Sequence, residues 1–182
     1  NSSNIFLSSI FTNLGHFPVI SSYAFNLWWI IVAANRSILS DDSLYLLGIP
    51  LMKIGILLYV SIIFFALWKV KSWQKPDTIW LGAAVCLLSF FLFPTEMHER
   101  YMFPVFAMLA IIISTRPAAR LYFSILTATY MFNLMYLYFG GVIITHVPDL
   151  VAFTAIPSLI NIVVFVLMVR HLWQIGKPAE QS

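Results

Sequence analysis

Residues Pro94 to Arg100, PTEMHER, set two carboxylates, an imidazole and a guanidinium (Glu96, Glu99, His98 and Arg100) between two apolar runs. Either these groups solvate a turn or they line a site at a membrane face. Glu96 and Arg100 stand four residues apart, so one helical turn would let them pair and do nothing more. Against that bland use stands the crowding of four ionisable groups into five residues. Charged groups at membrane depth usually mark a ligand or ion path.

The rest of the chain sets the solvent. Of 182 residues 61% are hydrophobic and 9% charged, and mean hydropathy is +0.91. A soluble domain is about a quarter charged, so this is a bilayer protein. The length suits a single membrane domain, residues 1–182, folded as one all-α polytopic bundle. The single cysteine, Cys86, has no internal partner and reads as a small packing residue. The four histidines lack metal-ligand spacing, and no phosphate loop, GxSxG or nucleic-acid-binding pattern occurs. No metal or cofactor and no nucleic-acid partner is expected. The opening NSSNIF has neither an initiator Met nor a signal peptide, which reads as the C-terminal part of a longer protein.

Five apolar segments predict membrane helices: Pro50 to Trp68, Thr78 to Phe93, Tyr101 to Ser114, Ala118 to Gly140 and Leu150 to Trp173. Pro104 suits the first turn of the third, whereas Pro157 predicts a kink or break in the fifth. Residues 1–49 read as an external interfacial region with short helices, residues 50–173 as the five spans and 174–182 as a tail. Within the first region Tyr23 to Ala34 is too short to span, and residues 1–17 read as an interfacial helix ended by Phe17-Pro18.

Charge orients these spans. If they alternate, Lys69, Lys71, Lys75, Arg116, Arg120, Arg170 and Lys177, seven of the ten basic residues, share the cytoplasmic side. Asp41, Asp42, Glu96, Glu99 and Asp149, five of the seven acids, share the other with Arg36 and Arg100, and Lys53 snorkels there. The expected location is the cell membrane, multi-pass, with the MHER loop non-cytoplasmic and the C-terminus cytoplasmic. The spans flanking the cluster provide about 21 to 24 Å of helix against a hydrocarbon core of about 30 Å. The turn should therefore be drawn below the outer surface, where polar backbone persists only inside protein or beside a wet cavity.

MHERYMFP, Met97 to Pro104, resembles a signature of polytopic bacterial glycosyltransferases of the GT-C superfamily, mannosyltransferase-like membrane proteins that use polyprenyl-phosphate sugars. SSYAFNLWWII, Ser21 to Ile31, is similar to the family's S-x-NA-[FY]-NLW segment, departing at Tyr23 where Asn is common. DDSLYLLGIP, Asp41 to Pro50, resembles the D-x-x-x-LG-[IL] stretch that follows it. Together the matches cover about residues 17 to 115 in the family's order. MHERY is fairly specific, and NLWW alone would be weak.

The resemblance implies transfer of a sugar from a polyprenyl-phosphate donor to an acceptor on the non-cytoplasmic side. It implies that Arg100 grips the donor phosphate, that His98 donates to phosphate or sugar, and that Glu96 or Glu99 orients Arg100 or binds sugar hydroxyls. Trp28 and Trp29 would wall the lipid or stack on the sugar, although an interfacial belt explains them equally well. No catalytic residue is assigned: the family's acidic base lies in an early external loop with no counterpart here, so residues 1–182 alone are expected to be inactive. Asp41 and Asp42 read as a helix cap or solvated loop, Asn26 as a cap or interhelical hydrogen-bonder, and His16 and His146 as partnerless loop residues. The rival class is a small permease subunit or scaffold. The absence of an internal repeat argues against most transporter folds, and no Ser-His or Asp-Asp pair suggests an intramembrane protease.

Overall fold

Proline and charge punctuate the apolar sequence, and the helices start and stop at that punctuation. The computed structural model describes residues 20–34, 44–73, 75–146 and 153–175 and is all-α apart from two short two-stranded ladders. Helix α1 spans Trp29–Ala34, α2 Leu51–Ser72, α3 Pro76–Leu92, α4 Phe103–Ile112, α5 Pro117–His146 and α6 Ala155–Gln174. Strands β1 (Ser21–Ser22) and β4 (Met97–His98) pair in parallel, and β2 (Tyr45–Leu46) and β3 (Ile49–Pro50) form a hairpin. His16, Arg36, Asp41, Asp42, Asp149, the segment before Ile20 and the tail beyond Ile175 lie outside the described residues, as does the side chain of His146.

The five longer helices fall on the five expected apolar segments. Pro76 and Pro104 sit in the first turns of α3 and α4, where a missing N–H costs no helical bond. Of the kink or break expected at Pro157 the structure has the break: α6 starts at Ala155, so this proline too lies in a first turn, and it is buried there. Two helices, α2 and α6, are long and apolar enough to cross a membrane, and α3 is a shorter apolar helix.

Helix α3 is central, packing against α2, α4 and α6, while α5 packs on α4 and α6. Its buried face includes Leu81, Ala84, Val85, Leu88, Phe91 and Leu92, the middle of a core that also takes Val105 and Leu109 of α4, Leu126 of α5 and Met168 of α6. Cys86 is half-buried against that core. Helix α2 is peripheral, with Met52, Leu57, Phe64 and Leu67 exposed. It meets α3 through small residues, Gly55 against the chain at Phe93 and Gly82 against Val70, the close approach typical of helix pairs in lipid.

The helices run alternately, so the bundle has two chemically distinct ends. At one, Arg116 Nε donates to Asp77 Oδ2 at 2.9 Å, and Arg120 Nε donates to the Ile113 carbonyl at 3.0 Å. Buried Lys69 donates to the Ile175 carbonyl at 3.0 Å, its ammonium 5.7 and 5.4 Å from the Trp68 and Trp173 ring centroids. Lys71, Lys75 and Arg170 belong to the same end by their places on α2, before α3 and on α6.

The other end holds the PTEMHER turn, and residues 20–34 close it as a plug. Within this segment Ile20, Phe25, Trp28, Trp29 and Val32 form a second buried cluster with Leu51 and Tyr136. The plug contains only one six-residue helix, so its irregular backbone needs partners from elsewhere. Asn133 of α5 accepts from Phe25 N–H and donates to the Tyr23 carbonyl, and Asn161 of α6 donates to the Phe25 carbonyl. Thr129 holds Asn161 in place at 2.6 Å, and Leu27 N–H donates to the Leu92 carbonyl. This non-helical backbone can be buried because protein groups satisfy it.

Candidate functional site

Pro94 ends α3, because it lacks the N–H that the Phe90 carbonyl would take. The chain end there sits low in the bundle. Phe93 lies against Gly55, one turn into α2, and its ring meets Phe165, 5.2 Å away in the middle of α6. By helical rise that is about 6 Å below the start of α2 and about 15 Å below the start of α6. The turn is recessed relative to the starts of α2 and α6.

Past Pro94 the backbone is not helical up to the 3-10 turn at Glu99, so Glu96 and Arg100 do not share one α-helical turn. Glu96 is left-handed at φ 62°, and its N–H donates to the Ile20 carbonyl at 3.1 Å. Met97 and His98 then pair with Ser21 and Ser22, and Tyr23, also left-handed at φ 56°, bridges to His98. Such a conformation costs a non-glycine residue about 1–2 kcal/mol. Two of the three left-handed non-glycine residues among those described flank this ladder, and strain of this kind gathers at functional sites. A 3-10 turn, Glu99–Met102, leads into α4.

Between α2, α3 and this turn lies a groove of about 460 Å³. Met52, Ile56, Tyr59 and Val60 of α2 form one wall and Phe90 of α3 another, while Pro94 to Met97 and Tyr101 close the polar end. Glu96 is the only charged residue among them. Tyr101 gathers the remaining polar groups: the His98 ring lies 5.9 Å from it edge-on, the Arg100 guanidinium carbon 5.6 Å from its centroid, and Phe90 5.8 Å away. Arg100 is exposed at this rim, and Glu96, His98 and Glu99 are half-buried. The arrangement can take an amphipathic ligand, its chain along the apolar walls and its head at the rim.

The sequence-predicted residues thus divide. Glu96 lines the groove, His98 and Arg100 meet at Tyr101, and Glu99 opens the 3-10 turn that packs on α3, α4 and α5. Trp28 and Trp29 belong to the plug, 4% and 1% exposed. Their indole N–H groups donate to the Phe93 carbonyl and to Thr154 Oγ1, and neither residue lines the groove. Asn26 is a cap: its Oδ1 accepts from the Trp28 and Trp29 N–H groups at 3.1 and 3.0 Å. Among the described residues no three His, Cys, Asp or Glu side chains converge for a metal. Tyr101 and the α2 wall were not among the predicted site residues. The only sequence signal for Tyr101 is its place inside MHERY, and nothing local reveals that Met52 and Ile56 face it.

No protein-family model, curated protein or solved structure matches this chain. The functional reading rests on the groove and on the residues around it.

Proposed function

We propose that this chain is the membrane part of a glycosyltransferase that takes its sugar from a polyprenyl-phosphate donor. Helices α2 and α6 cross the bilayer with α3 to α5 bundled against them, the PTEMHER end faces the non-cytoplasmic side, and the lysine- and arginine-rich end faces the cytoplasm. The observation that carries the reading is an apolar groove of about 460 Å³ that ends at Glu96 and Tyr101. A prenyl chain matches its walls, and a phosphate-linked sugar matches its rim.

In such a transfer the bond from the sugar's anomeric carbon to the phosphate oxygen breaks, and its electron pair stays on the phosphate. The acceptor oxygen bonds to that carbon and gives up its proton to a base. Arg100, exposed beside Tyr101, offers a planar fork of donors to the phosphate as charge accumulates there. His98 shares that rim and donates to phosphate or sugar, while the Glu96 carboxylate accepts from sugar hydroxyls. No general base is assigned among these residues.

Arg100→Lys tests the reading. The ammonium keeps the charge and loses the bidentate fork. Losing one charge-assisted donor to a developing anion should lower turnover about 10²-fold or more. The measurement is polyprenyl phosphate released from undecaprenyl-phosphate mannose by full-length protein in nanodiscs, normalised to folded protein. A correctly folded Arg100→Lys with wild-type turnover overturns the phosphate grip. Flux of the lipid or sugar across sealed vesicles, with no transfer, would replace the enzyme by a transporter.

A further inference from the structure

The β2–β3 hairpin is the least explained surface of the polar end. Tyr45, Leu46, Leu47 and Ile49 are 62%, 55%, 95% and 50% exposed. Successive strand residues point to opposite faces, so this ribbon is apolar on both. A hairpin in water covers one face and turns polar groups outward on the other. Its two-residue turn has Leu47 at φ 53° and Gly48 at φ 78°, and the first of those positions favours Asn, Asp or Gly. A leucine there accepts an unfavourable backbone and full exposure together, which suits a tip covered by something apolar.

We propose that this hairpin dips into the lipid leaflet at the polar end and seats Leu47 at the border between headgroups and acyl chains. The proposal rests on the membrane reading above, independently of the transfer chemistry. Helix α2 supplies the depth. Trp68 and Lys69 mark its other end as an interfacial pair. Counting back from Trp68, helix α2 covers about 26 Å to Leu51 at about 1.5 Å per residue, and β3 at about 3.3 Å per residue takes up the rest of a core of about 30 Å. The hairpin therefore stands at the opposite border. It also leads into the exposed apolar side of α2 that carries Leu57, Phe64 and Trp68, which does not line the groove and is lipid-facing in the same reading. Lys53, exposed in the first turn of α2, lies where its ammonium meets lipid phosphates. The hairpin leads directly into the helix that walls the groove, so seating it in lipid fixes the height of the groove mouth against the leaflet.

Single cysteines at Leu47 and at Ser61, the latter exposed near the middle of α2, test this on a Cys86→Ala background. Each carries an environment-sensitive fluorophore, with the full protein in phosphatidylcholine–phosphatidylglycerol nanodiscs. Nitroxides placed shallow or deep in the acyl chain, or iodide in the water, serve as quenchers. The proposal expects blue-shifted emission at Leu47→Cys, lost mainly to the shallow nitroxide, and emission at Ser61→Cys lost mainly to the deep one. Quenching of the Leu47 probe by iodide alone, with the Ser61 probe still reached by the deep nitroxide, overturns the hairpin and leaves the membrane reading standing. A Leu47 probe reached by no quencher would mean a protein cover and also overturns it. Iodide quenching at both positions defeats the membrane reading itself.

Discussion

Gly55→Ala should loosen the polar end far more than one methyl group suggests. A Cβ on Gly55 would overlap the Phe93 carbonyl oxygen and crowd Phe93 C and Pro94 Cα at 3.0 and 3.1 Å. All of these atoms are backbone, so no side chain can swing aside. Overpacking of this kind costs about 1–3 kcal/mol. The same oxygen accepts the Trp28 indole N–H, and losing that bond adds about 0.5–1.5 kcal/mol. Alanine returns about 1 kcal/mol through its better helix propensity. The balance is a destabilisation of about 0.5–3.5 kcal/mol. Gly82→Ala is the control, because its Cβ would meet only Val70 Cγ2, at 2.8 Å. Val70 is β-branched and stiff in its helix, but no hydrogen bond is lost, so overpacking less the helix-propensity gain leaves about 0–2 kcal/mol. Both variants would be titrated with SDS in mixed micelles, with helix content and tryptophan emission followed together. A Gly55→Ala protein as stable as wild type, or a Gly82→Ala protein equally damaged, would refute the distinction between backbone and side-chain collisions.

Asn133→Leu should cost about 2 kcal/mol or more in the same titration, since it strips a donor from the Tyr23 carbonyl and an acceptor from Phe25 N–H inside the plug. Cysteines at Arg100 and Ser72, on Cys86→Ala, should react with an impermeant thiol reagent from opposite sides of sealed vesicles; reaction from one side ends the alternating topology. Glu96→Gln keeps the side chain's shape and removes its charge from the groove. A hydrogen bond to a charged group is worth about 1.5–3 kcal/mol, so affinity for undecaprenyl-phosphate mannose should fall about ten-fold or more; an unchanged fluorescence titration takes Glu96 out of the site.

The helices were legible because apolar runs broken by Pro76, Pro94, Pro104 and Pro117 leave little choice of boundary. Pro157 left kink and break open because a proline inside an apolar run looks the same whether the helix starts just before it or well upstream. The plug was illegible for a different reason. Tyr23 to Ala34 carries the short apolar pattern of an interfacial segment, and its burial depends on Asn133 and Asn161, remote in sequence and placed within apparently ordinary spans. At the site, MHERY supplied the residue types. The left-handed Glu96 and the parallel pairing with Ser21–Ser22 are products of tertiary contact, which no local pattern announces.

The way residues 20–34 are held also sets an order of events during synthesis. Phe25 is 108 residues ahead of Asn133 and 136 ahead of Asn161, the two side chains that satisfy its backbone. At about 5–20 residues per second, the ribosome needs about 7–27 s to make the second partner after Phe25. A piece made early is therefore among the last to be seated. On the membrane reading proposed above, Phe25, Trp28 and Trp29 are sheltered by lipid or by the insertion machinery until α6 emerges, and any pause in translation before Asn161 prolongs that wait.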